Sequence, residues 1–417
     1  MRQSRSVTTT QELLDAAGDA NTLMIHVAGE LSELPLLHLR PGLSLAGKGP
    51  SSTLRFAGGM DGVQLSADNT VRDLAIVTDP DRRAIFNDTS HSSLGRIELS
   101  GLRITGCLRL LATGEVQSGH IDAHGVDIVM ADARGFEERP SGFGVEVIPG
   151  AFTIWNLQPD PQGRITADLT AISAGRPGAP VRGSGVFVGG TPGGGSLVVR
   201  RLETGEIHND GGIAPGTPDR ISGGVFTVYG AWVDSVRNLG PVTTYGANDM
   251  VLDNWGTVER WQADAKITSY GPSGIGFVNF GAVGVLRIDG VIETFGLGAR
   301  GFNVYAGTVR DAEFERVVTR ADGAVGIQIS QPVGRIAVRR GLETHGGVGS
   351  SLVKGVVMQL PATALSIKPG GSAREITIEG GLVSHGVGIE PLELHGRVER
   401  FSVSGSLGPA GAGFEAM

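Results

Sequence analysis

A phrase of three residues returns at a nearly constant interval of 25 residues in the second half of the chain. It consists of a hydroxyl residue, a ring-bearing residue and a glycine. Its copies are Thr244-Tyr245-Gly246, Ser269-Tyr270-Gly271, Thr294-Phe295-Gly296 and, two periods later, Thr344-His345-Gly346. A second phrase keeps the same interval within a residue: Asp253-Asn254-Trp255-Gly256, Val278-Asn279-Phe280-Gly281 and Val304-Tyr305-Ala306-Gly307. Two landmarks that stay in step indicate a repeating structural unit.

Each period contains three short runs in which apolar residues alternate, and a glycine closes each run. Met250/Leu252, Val258/Trp261 and Ile267/Ser269 show one such set. Alternation is typical of a strand with one buried face, and a unit this short must stack on its neighbours to bury that face. The 67 glycines among 417 residues suit a chain with many tight corners. We therefore predict an all-β fold, a single right-handed three-sheet parallel β-helix that forms one domain over residues 1–417.

The first residues predict a short helix before the first coil. Thr9 followed by Glu12 makes a capping box, and Leu13 and Leu14 begin an apolar face over residues 9–17. An open end of a repeat stack exposes core, so a helix across it is the expected cap.

Bulk properties exclude several classes of partner. The net charge of −8 argues against nucleic acid, and no run of apolar residues is long enough to predict a membrane span. Cys107 is the single cysteine, and no metal-ligand spacing occurs, so we predict neither a metal site nor a cofactor. Isolated aspartates could still hold calcium through oxygen ligands. The basic start of the chain is not followed by an apolar run. We therefore expect no classical signal peptide, and either a cytoplasmic location or export by a non-classical route.

The early coils resemble a known group of proteins. The segments His38-Leu39-Arg40-Pro41-Gly42-Leu43-Ser44-Leu45-Ala46-Gly47-Lys48-Gly49 and Val63-Gln64-Leu65-Ser66-Ala67-Asp68-Asn69-Thr70-Val71-Arg72-Asp73-Leu74, after a helical opening, look like the beginning of right-handed β-helix proteins of the pectate-lyase-like superfamily. The resemblance implies enzymes that cleave, epimerise or bind polysaccharides, or phage tailspikes and adhesins. Paired Asp-Asp with Gly-His-Gly, as in pectinases of that group, is absent, so no catalytic residue is carried over.

Four long loops, the first three of them rich in glycine and proline, fall at the corner between the third strand of one coil and the first of the next. They span residues 131–142, 174–184, 206–223 and 346–354, whereas the same corner is short in the coils between the last two. Stacked coils place equal corners in one row. We therefore predict a cleft between the long loops.

Register predicts which side chains line that cleft. Outward rings with neighbouring amides and charges suit a sugar-binding groove, because sugar faces stack on rings while hydroxyls bond polar groups. The predicted substrate-binding residues are Tyr245, Asn248, Tyr270, Phe295, Asn303, Arg320, Asp322, His208 and Asp210. The competing interpretation is that the rings form a structural ladder between coils, and the sequence leaves both open.

Two kinds of chemistry are open as well. Hydrolysis of a glycosidic bond needs one protonated and one ionised carboxyl, and Asp249 with Asp253 is the candidate pair. Elimination on a uronide instead needs a base beside a charge that neutralises the carboxylate, and Tyr305 with Arg300 or Arg320 are the candidates.

We therefore predict a carbohydrate-active enzyme, a glycosidase, transferase or polysaccharide lyase, that acts on an oligo- or polysaccharide in the cleft. The alternative is a non-catalytic glycan-binding or structural β-helix of tailspike or adhesin type. An oligomer is possible in either case.

Overall fold

A computed structural model of the chain describes residues 3–353 and 355–409, which form one helix and forty strands. The helix is α1 (Thr10–Gly18). The first strands along the chain are β1 (Gln3–Val7), β2 (Thr22–Val27), β3 (Glu30–Leu34), β4 (Leu37–His38), β5 (Ser44–Gly47), β6 (Thr53–Phe56), β7 (Val63–Leu65), β8 (Thr70–Val77), β9 (Arg83–Asn87), β10 (Ser93–Thr105), β11 (Cys107–Ala112), β12 (Ser118–Met130), β13 (Ser141–Gly142), β14 (Val145–Val147), β15 (Gly150–Asn156), β16 (Arg164–Ala174), β17 (Val181–Arg182), β18 (Ser184–Gly189) and β19 (Ser196–Asp210).

The later strands are β20 (Arg220–Thr227), β21 (Ala231–Asn238), β22 (Val242–Thr244), β23 (Asp249–Asn254), β24 (Thr257–Ala263), β25 (Ile267–Ser269), β26 (Ile275–Asn279), β27 (Ala282–Thr294), β28 (Arg300–Val304), β29 (Thr308–Thr319), β30 (Val325–Ile329), β31 (Pro332–Val338), β32 (Leu342–Thr344), β33 (Val348–Val353), β34 (Val356–Pro361), β35 (Leu365–Ile367), β36 (Ser372–Ile378), β37 (Leu382–Ser384), β38 (Leu392–Leu394), β39 (Arg397–Val403) and β40 (Leu407–Pro409). Nearly all of these strands pair in parallel, and the predicted all-β parallel β-helix is confirmed. No helix within the described residues has the length and apolar character needed to cross a membrane.

The chain divides into two compact units. Unit 1 comprises Met1–Glu137, Pro149–Gly205 and Val228–Trp232, and unit 2 comprises Glu138–Ile148, Glu206–Thr227 and Val233–Met417. In unit 1 the strands β4, β7, β9, β11, β15 and β18 pair in that order, each in parallel with the next. Their inward residues, such as Val63, Leu108 and Phe152, are fully buried.

Unit 2 contains three columns of parallel strands. The first column is β20, β23, β26, β28, β30, β35 and β38. The second is β24, β27, β29, β31, β36 and β39. The third is β22, β25, β27, β29, β32, β37 and β40, in which β27 and β29 are long strands that serve two columns.

In-register pairing places like residues above one another inside unit 2. Leu252 pairs with Phe277, Phe277 with Phe302 and Phe302 with Ile327, and all four side chains are buried in the core. At the end of the same strands, the Asn254 amide donates to Asn279 Oδ1 at 2.8 Å. This continues the hydrogen bonding from coil to coil where the chain turns.

The glycine of the repeated three-residue phrase is required by the spacing of the coils. A methyl group on Gly271 would lie 1.7 Å from the Gly246 carbonyl oxygen, and one on Gly296 would lie 1.8 Å from the Gly271 carbonyl oxygen. Neither distance is possible for a real side chain. The corners of successive coils therefore touch backbone to backbone.

The structure agrees with the predicted start of the fold and adds to it. Helix α1 begins one residue after its cap Thr9, whose hydroxyl accepts the Glu12 N–H at 3.2 Å, and Leu13 is fully buried. Strand β1 precedes the helix and pairs in parallel with β2, although its sequence is polar. The predicted loop 346–354 is one half of an antiparallel hairpin, because β33 pairs with β34. Lys354 lies outside the described residues.

We expect Gly271→Ala to lower the free energy of unfolding by roughly 3 kcal/mol or more, because the backbone of the neighbouring corner cannot move away from the new methyl group. Chemical denaturation followed by circular dichroism measures the loss. Gly58→Ala is the matched control, since a methyl group there meets nothing within 4 Å. Equal stability of the two variants would contradict the close packing of the corners.

Candidate functional site

A pocket of about 290 Å³ lies on the outer face of the first strand column of unit 2. Its floor is formed by β23, β26 and β28 and by the corners beside them. Its roof is formed by residues after β13, by the loop before β20 and by the β33–β34 hairpin. The lining residues are Phe143, Val145, Pro218, Ile221, Asn248, Met250, Asp253, Ser273, Ile275, Val278, Phe280, Arg300, Tyr305, Ala306, Leu352 and Gly355.

Phe143, which lies between β13 and β14, covers one side of this pocket. Phe143 has a φ of 53°, a left-handed conformation that is uncommon outside glycine. Its ring stacks on Phe280, with centroids 4.5 Å apart, and meets Trp255 edge-on at 5.1 Å. Half of its surface remains exposed. The rings of Phe143, Phe280 and Tyr305 thus give the pocket an aromatic wall.

Arg300 supplies a buried positive charge to the pocket. Its side chain is 1% exposed, and Nη2 donates to Ser351 Oγ on β33 at 3.0 Å while Nη1 donates to the Gly298 carbonyl at 3.3 Å. Nε has no hydrogen-bond partner, and no carboxylate of the described residues forms an ion pair with this guanidinium. Its charge centre lies 5.9 Å from the Tyr305 ring. A buried charge without a counter-ion is costly, so this group is suited to an anionic ligand.

Asp253 lies on the floor of the pocket and is also fully buried. Burial raises the pKa of this carboxyl well above its usual range, against the lowering effect of the nearby Trp255 indole and Asn254 N–H. Neither oxygen makes a hydrogen bond of normal geometry. The Trp255 indole and the Asn254 N–H are therefore near the carboxyl without being aligned for a hydrogen bond. Burial of this kind favours the neutral acid over the carboxylate.

Asn303 lies on β28 between Arg300 and Tyr305. Its side chain is fully buried, and neither its amide nitrogen nor its amide oxygen has a hydrogen-bond partner. Pairing sets Val278 between Asp253 and Asn303 in one row across three strands. The row thus holds a carboxyl and an amide whose hydrogen-bonding capacity is unused.

Asp249 does not line this pocket. Its carboxylate accepts hydrogen bonds from the Ser222 hydroxyl at 2.5 Å, from the Gly246 N–H at 2.7 Å and from the Gly211 N–H at 3.2 Å. Burial raises the pKa of Asp249 to about 6, against the lowering effect of these donors. The carboxyl joins three backbone segments at one corner. The two predicted acid–base carboxyls therefore have separate surroundings.

The predicted aromatic residues form a stack on the third strand column, outside the pocket lining. The rings of Tyr245 and Tyr270 lie 5.5 Å apart at 15°, and those of Tyr270 and Phe295 lie 5.0 Å apart at 16°. Because the faces of these rings cover one another, mainly their edges remain for a ligand. This geometry favours the structural ladder. Arg320 occupies the equivalent position in the next coil, after Phe295, and donates to Glu293 Oε1 at 2.8 Å.

The remaining predicted residues hold loops in place. Asn248, with a φ of 57°, donates its amide to the Thr217 and Arg220 carbonyls, and it also lines the pocket. His208 is buried between Glu206 Oε1 and the Tyr245 hydroxyl, at 2.5 and 2.9 Å. Two aspartates accept backbone N–H groups: Asp210 from Gly212 and Asp322 from Gly347.

Of the predicted residues, the pocket therefore brings together Asp253, Tyr305, Arg300 and Asn248. Phe143 and Ser351 were missed, because each comes from an inserted segment whose position no repeat register gives. The Gly142-Phe143-Gly144 sequence offers one signal, since a lone aromatic between two glycines in a long loop has little reason to be there unless it packs on something.

Chemically, the pocket combines one fixed positive charge, one acid that burial keeps neutral, one phenol and an aromatic wall. No protein-family model, no curated protein and no solved structure matches the chain.

Asp249 makes the stability of the protein depend on pH. With a folded-state pKa of about 6, it keeps its proton at pH values where the unfolded chain has lost it. The contribution of Asp249 to stability is therefore largest below the usual Asp pKa and falls as the pH rises to about 6, by roughly 3 kcal/mol in total. Carboxyls whose pKa is lowered, such as Asp132 beside Arg134, change stability in the opposite direction. The fall is therefore measured as the difference in thermal unfolding midpoint between the wild type and a variant at position 249, from pH 4 to pH 7.

The Asp249→Asn variant tests the assignment, because it cannot titrate. We expect a lower midpoint at pH 4, since one acceptor oxygen is lost, and a flatter profile up to pH 6. Asp253, whose pKa is also raised, is present in both proteins, so its contribution to the pH dependence cancels when the two profiles are compared. Parallel profiles for the two proteins would show that Asp249 is not the titrating group.

Proposed function

We propose that the pocket of unit 2 binds a carboxylate-bearing sugar unit of an oligo- or polysaccharide and cleaves the chain next to it by elimination. The observation that carries the proposal is the buried Arg300 guanidinium, which has no carboxylate partner among the described residues and an unpartnered Nε. An arginine pairs with a carboxylate more favourably than with a neutral group. A ligand carboxylate would supply the missing counter-charge.

The size and lining of the pocket support a sugar ring as the bound group. Its volume of about 290 Å³ is at the small end of the range for ligand sites. This is room for one ring-sized group with its substituents. The rings of Phe143, Phe280 and Tyr305 offer apolar contact for a sugar face, while Asn248 and Ser273 add polar groups at the corners.

The same residues support elimination over hydrolysis. Hydrolysis by the usual route needs two carboxyls on either side of the scissile bond, and Asp253 is the one carboxyl among the described lining residues. Elimination needs a base, an acid and a charge opposite the substrate carboxylate. Tyr305, Asp253 and Arg300 are candidates for these three roles.

The proposed step is as follows. Arg300 pairs with the carboxylate on C5, which makes the C5 proton more acidic, and Tyr305, acting as the phenolate, takes that proton and becomes the neutral phenol. The bond between C4 and the bridging oxygen breaks, its electron pair stays on the oxygen, and a double bond forms between C4 and C5. Asp253, protonated through burial, supplies the proton to the leaving oxygen. No water is consumed.

The proposal places the chain among the polysaccharide-acting members of the pectate-lyase-like superfamily, which its early coils resemble. The support for this placement is the parallel β-helix together with the charged, aromatic-lined pocket on its outer face. Fold alone does not give activity, so the site carries the argument.

We expect the purified protein to release unsaturated products from a uronic-acid polysaccharide, detected by the absorbance of the new double bond. Tyr305→Phe removes the proposed base and should reduce kcat at least about 100-fold, with the fold intact. Tyr229→Phe, a tyrosine of unit 1, is the matched control and should retain activity. Equal loss in both variants, or none in Tyr305→Phe, would exclude the role given to Tyr305.

Arg300→Met separates binding from chemistry. Loss of uronide binding in this variant, measured by calorimetry, with neutral oligosaccharides binding weakly to both proteins, is the expected result. Uronide binding by the wild type without any unsaturated product would favour the alternative, a non-catalytic glycan-binding protein of tailspike or adhesin type. Uronide binding that does not depend on Arg300 would overturn the proposal.

A further inference from the structure

A second cluster of side chains lies on the third strand column of unit 2, outside the pocket. Strands β32 and β37 pair in register, Leu342 with Leu382 and Thr344 with Ser384, so His345 and His385 follow equivalent positions in successive coils. Their imidazole rings are nearly parallel, with centroids 4.3 Å apart and an interplanar angle of 7°. Glu343, on β32, faces the same side.

The three side chains approach one another closely. Glu343 Oε2 lies 3.7 Å from His345 Nε2 and 3.8 Å from His385 Nε2. Each of the three side chains offers one ligand atom within 4.8 Å of those of the other two. These distances are too long for hydrogen bonds. By contrast, His395 Nε2 and Glu393 Oε1 are 2.9 Å apart, as expected for a direct bond.

The spacing instead suits three ligands around one metal ion. Bonds of about 2.1 Å in a tetrahedral arrangement separate neighbouring ligand atoms by about 3.4 Å. The two imidazole rings are stacked in nearly parallel planes, so they must tilt out of the stack for both Nε2 lone pairs to point at one ion. Both histidine side chains are partly exposed, at 30% and 37%, so an ion can reach them from solvent.

The surrounding hydrogen bonds prepare two of the ligands. Arg316 Nη2 donates to Glu343 Oε1 at 2.8 Å, which fixes the carboxylate and leaves Oε2 directed at the histidines. Arg320 Nη1 lies 2.9 Å from His345 Nε2. Since a guanidinium can only donate, this Nε2 is the unprotonated nitrogen, and its lone pair is the one that a metal ion requires.

Two guanidinium groups beside a cation site weaken it, and the structure shows how their charge is balanced. Arg316 is paired with Glu343, and Arg320 is paired with Glu293 through Nε and Nη2. Arg320 can therefore release His345 and keep its ion pair. A metal ion would replace one Arg320 hydrogen bond.

We propose that Glu343, His345 and His385 form a binding site for a divalent transition-metal ion such as Zn²⁺. Two imidazoles and one carboxylate suit Zn²⁺, Ni²⁺ or Cu²⁺, whereas Ca²⁺ and Mg²⁺ prefer an all-oxygen set. Three protein ligands leave a fourth position for water. The site differs from the pocket in its residues and does not depend on the function proposed for that pocket.

The first test measures Zn²⁺ binding to the full chain by competition with a chromogenic chelator, and Co²⁺ binding by its visible absorption. The expected result is one equivalent of bound metal and a tetrahedral Co²⁺ spectrum. His385→Ala should weaken binding at least about 10-fold, because it removes one of the three proposed ligands, whose side chain is 37% exposed. His395→Ala, which removes the histidine of a direct His–Glu bond, is the matched control and should bind as the wild type does.

A second variant gives a result that a merely structural cluster would not produce. Arg320→Ala removes the group that competes for His345 Nε2, so metal affinity should rise. Absence of binding in the wild type, or binding unchanged in His385→Ala, would overturn the proposal. A fall in affinity in Arg320→Ala would also overturn it, provided that circular dichroism shows an intact fold.

Discussion

Parallel, in-register hydrogen bonding between coils is the constraint on which the rest of unit 2 depends. It sets each residue above its counterpart, so the character of a position is repeated as a column. Corner glycines make this possible, since the Gly271 backbone lies against Gly246 where a methyl group would overlap the carbonyl oxygen. Once the backbones are at this distance, side chains in one column must pack together. Phe277 on Phe302 inside, and Tyr270 on Phe295 outside, are two results of the same spacing.

The same constraint explains why polar residues stand out where they interrupt a column. Met250 and Ile275 pair in the row that continues to Arg300, so a charge follows two apolar side chains. Phe226 pairs with Asp253 in another row, where an aromatic ring is followed by a carboxyl. Each change places a polar group where its side chain is almost fully buried. Burial then shifts the pKa of Asp253 and leaves Arg300 without a counter-ion, which gives the pocket its chemical character.

The 25-residue period was enough to predict the coils and the inward residues of unit 2, because periodic burial is a local property of the sequence. The capping box likewise predicted α1. Strand β1 was not foreseen, since its Gln3–Val7 sequence is polar and forms a strand through pairing with β2 alone. The separate surroundings of Asp249 and Asp253 were not foreseen either. Both are on β23, and the corner geometry that turns Asp249 toward Ser222 is not encoded in spacing.

Only the part of the candidate site that lies in regular coils could be predicted from the sequence. Tyr305, Arg300 and Asn248 lie in regular coils, where register indicates which side chains face outward. Phe143 and Ser351 lie in inserted segments, and their positions follow from tertiary packing. The stacked rings show a further limit, since an outward direction does not tell whether a ring offers its face to a ligand or to the next ring.

The hairpin β33–β34 shows how such a chain can acquire new parts. Leu252 pairs with Phe277 across an ordinary coil, whereas Ile327 pairs with Leu365 across a coil that contains the whole hairpin, and the register of the column is kept. A corner thus accepts a large insertion without altering the core on either side of it. The loops at this corner can therefore change in sequence and length while the coils that support them stay the same. Hairpins exchanged at this corner should change what the pocket accepts while the coils beneath fold as before, which makes the corner a natural point for grafting new specificity.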